Sequence, residues 1–114
     1  MADQDLSDVL VELLEDRKAL DIAVLDVRRL TDMTDYMLVA SGTSSRHVSA
    51  IVDFLLYESK KRHIPVLGVE GQERAEWVLV DFGETILHVM QGKARDFYQL
   101  ERLWESETRT ERLM

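Results

Sequence analysis

The chain has 114 residues and a formal charge of −8, with 14 Lys and Arg against 22 Asp and Glu, a size that suits one domain and excludes a two-domain enzyme with an interdomain cleft. Such a polyanion repels phosphate backbones, which argues against direct nucleic-acid binding and favours a basic protein partner. With no cysteine, disulfides, thiolate metal sites and cysteine nucleophiles are excluded together. The acidic start MADQDLSDVL lacks the basic residues of a targeting peptide, and no apolar run approaches the ~18 residues of a membrane span, so a cytoplasmic protein is expected.

The elements follow in chain order. Leu6, Val9, Leu10, Leu13 and Leu14 recur with helical spacing, predicting an amphipathic helix over residues 5–18 whose early acids face its positive end. The apolar runs DIAVLDV (21–27) and YMLVA (36–40) read as two central strands separated by turn residues. Ser41-Gly42-Thr43-Ser44 then breaks the chain, and Val48, Ile51, Val52 and Leu55 mark one face of a second helix that ends at Lys60-Lys61-Arg62. PVLGVEG from Pro65 reads as an extended edge segment, where the missing N–H of proline is tolerated.

Trp77 to Phe82 and Thr85 to Met90 flank Gly83-Glu84, and glycine at the first turn position predicts a type II′ hairpin. That turn pairs Asp81 with Ile86, Val80 with Leu87, Leu79 with His88, Val78 with Val89 and Trp77 with Met90. Alternation then gives two faces. Val78, Val80, Phe82, Thr85, Leu87 and Val89 form an apolar face expected to pack under the long helix. Trp77, Leu79, Asp81, Ile86, His88 and Met90 form a mixed face expected to look outward. A final helix over about 93–105 carries Phe97, Leu100 and Trp104 on one stripe and Tyr98 and Glu101 on another, and SETRTERLM (106–114) has no pattern and is expected to fray. One domain therefore spans residues 1–105.

Charge is uneven along this order. Residues 1–21 hold a net −5, and residues 70–84 a net −4 from Glu70, Glu73, Glu76, Asp81 and Glu84 against Arg74.

Little of this supports catalysis. The Ser41–Ser45 loop between strand and helix is placed to cradle a phosphate, yet it lacks the GxxxxGK[ST] and GxGxxG spacings, and a serine helix cap explains the same letters. A nucleotidyltransferase-like enzyme would need a carboxylate pair at alternate strand positions for Mg²⁺; PVLGVEG offers Glu70 alone and Trp77–Phe82 offers Asp81 alone. Asp81-Phe82-Gly83 copies the kinase magnesium motif without the remaining kinase elements. His47, His63 and His88 lack zinc-helix spacing, so neither metal nor cofactor is expected. His88 and Asp81 share a face that supplies no nucleophile. Aromatic anchors, Trp77 and Tyr98, within an acidic rim instead have the composition of a protein-binding patch.

The runs DYMLVASGTSSRHVSAIVDFL, GVEGQERAEWVLVDFGETILHVM and ARDFYQLERLW, in this order over about residues 5–105, closely resemble the ribosomal silencing factor (Iojap) family. The resemblance implies a single α/β domain with a mixed, about five-stranded sheet flanked by helices, similar to nucleotidyltransferases but without their catalytic acids. It further implies a non-enzymatic protein that binds a ribosomal protein, the fourteenth of the large subunit, at the intersubunit face. Bound there, it would block joining of the small subunit and repress translation when nutrients run short. Carried onto the matching motifs, the implied contact surface is Trp77, Leu79, Asp81, His88, Tyr98 and Glu101, with Arg95 flanking. The phenylalanine-like family position after DY is Met37 here, a change expected to affect packing alone. Two other readings stay open: an enzyme using Ser41–Ser45, and a self-associating protein, since the family allows a homodimer.

Overall fold

The structure, a computed structural model, describes residues 5–92 and, for the backbone, 110–113. Helix α1 (Leu6–Asp16) is followed by β1 (Leu20–Asp26), β2 (Tyr36–Gly42), α2 (Ser45–Lys61), β3 (Gly68–Glu70), β4 (Trp77–Asp81), β5 (Thr85–Gln91) and β6 (Thr110–Leu113). The strands make one mixed sheet in the order β3-β4-β5-β2-β1-β6. Its central β2–β5 pair is parallel and every other pair is antiparallel. The expected α/β domain with a mixed sheet of about five strands is therefore present, joined by a short sixth strand. That strand lies in the tail expected to fray: Thr110–Leu113 pairs with β1, and backbone pairing of this kind leaves little trace in side-chain pattern.

Alternation along each strand gives the sheet two buried faces. On one, Ile22, Leu38, Ala40, Val78, Val80, Leu87 and Val89 pack against Leu10, Leu13 and Leu14 of α1 and Val48, Ile51, Val52 and Leu55 of α2. This is the apolar hairpin face expected beneath the long helix. Thr85 on the same face is fully buried and its hydroxyl lies 3.5 Å from that of Ser7, which ties α1 to the start of β5. On the opposite face Ala23, Leu25, Val27, Val39 and Met90 form a second buried cluster, with Met37 and Trp77 packed against it. Met37 thus packs within strand β2 against this cluster.

Both helices of the described residues, α1 and α2, are followed by a residue in the left-handed region. Lys18 has φ +58° and His63 φ +60°; the following N–H groups of Ala19 and Ile64 reach back to the carbonyls of Leu14 and Ser59 at 3.0 and 2.8 Å. These closures satisfy carbonyls left over by the helix and stop α1 two residues short of its expected end. The start of β3 is similarly set by backbone chemistry. Pro65 has no N–H to give, and pairing begins when Leu67 donates to the Asp81 carbonyl at 2.8 Å, so only three residues of PVLGVEG become strand.

Candidate docking surface

The β4–β5 hairpin forms in the expected register, with Trp77 opposite Met90, Leu79 opposite His88 and Asp81 opposite Ile86. Gly83 turns the chain at φ +90°, and one Asp81 carboxylate oxygen accepts the Gly83 N–H at 2.8 Å. Asp81 thus braces its own turn before it can meet any partner.

The mixed hairpin face does not look outward as a whole. Met90 is fully buried and His88 is only 5% exposed, whereas Trp77, Leu79 and Asp81 on β4 and Ile86 on β5 are half-buried. The difference follows from position in the sheet, because β5 is central while β4 is covered on one side only by three-residue β3. His88, expected as a contact residue, consequently lies beneath the surface. There its Nδ1 accepts the indole N–H of Trp77 at 2.9 Å, and the two rings stand 5.8 Å apart at 47°. An accepting Nδ1 places the ring hydrogen on Nε2. Burial without compensating charge pulls the His88 pKa down to about 4, so the imidazole is neutral near pH 7.

A loop whose residues were not individually assigned from sequence frames Trp77. Residues 71–76 begin at Gly71, φ +91°, where a Cβ would fall 2.2 Å from the Trp77 carbonyl oxygen, so a side chain has no room. Ala75 has φ +52° and donates its N–H to the Gly71 carbonyl at 3.0 Å. Gln91 holds the loop from β5: its side-chain Nε2 donates to the Ala75 carbonyl at 3.2 Å and its N–H to the Glu76 carbonyl at 3.0 Å. The result is a braced lip around a cavity of about 400 Å³ lined by Val69, Gly71, Glu73, Arg74, Glu76 and Trp77 among others. Its net acidity was legible in the charge count over 70–84; its shape needed the two positive φ angles. Arg95, Tyr98 and Glu101 lie outside the described residues.

The Ser41–Ser45 loop is a helix cap. Ser44 Oγ accepts the His47 N–H at 3.1 Å, the Thr43 N–H is taken by His47 Nδ1 at 2.9 Å, and His47 Nε2 lies 2.8 Å from the Arg17 carbonyl. A Cβ on Gly42 would meet Val48 at 2.8 Å, so glycine here permits close packing of strand on helix. Two of the N–H groups at this helix start, those of Thr43 and His47, are therefore taken by side chains of the cap itself. Among the described residues no group of three or more His, Cys, Asp or Glu is placed to hold a metal ion, and no helix is long and apolar enough to cross a membrane.

The chain is similar in sequence and fold to known proteins. A sequence model of the RsfS family, ribosomal silencing factor during starvation, matches residues 2–113. The chain is 46% identical over 99 residues to the ribosomal silencing factor RsfS of Haemophilus influenzae, covering 87% of this chain and 97% of that one. It is 41% identical over 100 residues to the mouse protein named mitochondrial assembly of ribosomal large subunit protein 1, covering 85% of this chain and 44% of that one. A crystal structure from Chromobacterium violaceum superposes with a TM-score of 0.86 at 41% identity, covering 91% of this chain and 87% of the other. The relatives are named for silencing and ribosome assembly, not for catalysis, and on the span and strength of these matches the chain belongs to the ribosomal silencing factor family.

Proposed function

We propose that this protein silences translation by docking on the large ribosomal subunit through the β4 side of its hairpin and obstructing the small subunit. The partner is expected to be the fourteenth large-subunit protein, at the intersubunit face. Trp77 is the anchor, Leu79 extends its apolar footprint, and the acids of the 71–76 lip with Asp81 meet Lys or Arg on the partner. Arg95, Tyr98 and Glu101 complete the surface as the family resemblance implies. Action under nutrient limitation in the cytoplasm belongs to the same reading. A homodimer, if one forms, would compete for this face.

The observation that carries the reading is the half-buried indole in its acidic setting. A large aromatic that keeps one side accessible, ringed by charge, is the usual centre of a protein interface, where a few residues supply most of the affinity. The names of the relatives favour the ribosome as the partner, and the mouse protein's name favours its large subunit. No catalysis is required. A body of 34 × 34 × 25 Å seated on a bridge surface excludes the other subunit by volume alone.

Co-sedimentation with separated ribosomal subunits tests this. Binding to the large subunit only, with loss of subunit joining, is expected. Trp77→Ala should weaken that binding by about 2 kcal/mol or more, the usual range for an interface anchor. Unchanged affinity in a folded Trp77→Ala protein would refute the surface.

A further inference from the structure

We propose that His88 is a positioning residue for docking: from beneath the surface it accepts the Trp77 indole N–H and fixes the ring in the orientation a partner meets. The inference rests on the Trp77 surface proposed above and assigns His88 a role other than contact. Exposure of only 5% leaves the imidazole little to offer a partner directly. It stands diagonally across the ladder from Trp77, since His88 pairs with Leu79 and Trp77 with Met90, a separation that long aromatic side chains bridge. The bond of 2.9 Å from indole nitrogen to Nδ1 joins a group that can only donate to an atom that here only accepts.

The consequence concerns order before binding. A half-buried tryptophan has two side-chain torsions to fix, and a partner that must fix them binds more weakly than one that finds them fixed. Tying the indole N–H to a buried acceptor does this in the free protein. Desolvation supports the arrangement, because it keeps the imidazole neutral and Nδ1 available near pH 7.

The test compares His88→Leu, which removes the acceptor at similar bulk, with His88→Asn, whose amide oxygen can stand near the place of Nδ1. Affinity for purified large subunits is measured alongside solvent exchange of the Trp77 indole proton by NMR, with Trp104→Phe used to assign the signal. His88→Leu should lose at least tenfold in affinity and its indole proton should exchange at least tenfold faster. His88→Asn should stay within threefold of the parent in both. Wild-type affinity in His88→Leu, or equal losses in folded His88→Leu and His88→Asn, would overturn the positioning role. Should the leucine variant not fold, imidazole nitrogen shifts of the parent protein decide: hydrogen on Nε2 supports the inference, and hydrogen on Nδ1 overturns it. Trp77→Ala separates the two levels. If it binds normally, the docking surface fails and the inference falls with it; if it loses affinity while His88→Leu does not, only the role of His88 is overturned.

Discussion

His88 couples the candidate surface to the stability of the sheet. Its hydrogen is on Nε2, so a second proton would go to Nδ1, the atom that accepts from Trp77 at 2.9 Å. Protonation must therefore break that bond and bury a charge. The pKa of about 4 in the folded protein lies below the ~6.5 of an unfolded histidine, so the unfolded chain binds more protons between these values. Stability from this residue is complete above about pH 6.5 and is lost progressively as the pH falls toward 4. Between pH 7 and pH 5 the expected loss is about 2 kcal/mol. Carboxylates titrate nearby, so the measurement is a difference: urea unfolding of the parent and of His88→Asn at both pH values. The parent should lose about 2 kcal/mol more than the variant over this interval, and parallel losses would show that His88 does not titrate on unfolding.

The loop and strand elements show where pattern suffices and where it does not. Gly71 closes the β3–β4 connection at φ +91° with no space for a Cβ beside the Trp77 carbonyl, whereas Gly68 three residues earlier has nothing within 4 Å of that position. Gly71→Ala should therefore destabilise by about 2 kcal/mol or more, through both the left-handed backbone and the clash, while Gly68→Ala should change stability by less than about 1 kcal/mol. Thermal unfolding of the two variants side by side checks this, and similar midpoints would contradict it. Nothing in the letters GVEGQERAEW marks which glycine is indispensable, because both fall within PVLGVEG, which reads as one extended segment. The hairpin beside it was legible down to its residue pairs, since Gly83 sets the turn and the turn sets the register. Helices α1 and α2 were legible from apolar spacing, and the Ser44 cap from its residue type, while the helix expected over about 93–105 lies outside the described residues. The burial of His88 was not, because a histidine between Leu87 and Val89 reads as a polar surface position unless the central place of β5 in the sheet is known. Strand β6 escaped for a related reason: an edge strand of four residues is held by backbone bonds that impose no apolar alternation.

At the scale of the whole molecule the question is what a charge of −8 does for a protein whose proposed contact is an aromatic one. Two groups of exposed acids lie on different sides of the sheet. Asp8, Glu12, Glu15 and Asp16 are exposed on α1, which packs on the helix-bearing face, while Glu73 and Glu76 are exposed beside Trp77, with Glu70 at the end of the neighbouring β3. Exposed charges add little to equilibrium affinity but act over about a Debye length, roughly 8 Å at physiological salt, to speed the encounter with a basic surface. The two groups should therefore differ kinetically. Raising salt from about 0.05 to 0.5 M is expected to slow association with large subunits on the order of tenfold, with dissociation nearly unchanged. The double variant Glu73→Gln/Glu76→Gln should associate more slowly at low salt and respond less steeply to it. Glu12→Gln/Glu15→Gln, which removes equal charge from the opposite face, should behave much like the parent. Stopped-flow or surface-based kinetics across that salt range measures all three proteins. An association rate indifferent to salt would remove steering from the mechanism, and equal effects from the two double variants would mean that net charge, not the acidic lip beside Trp77, guides the approach.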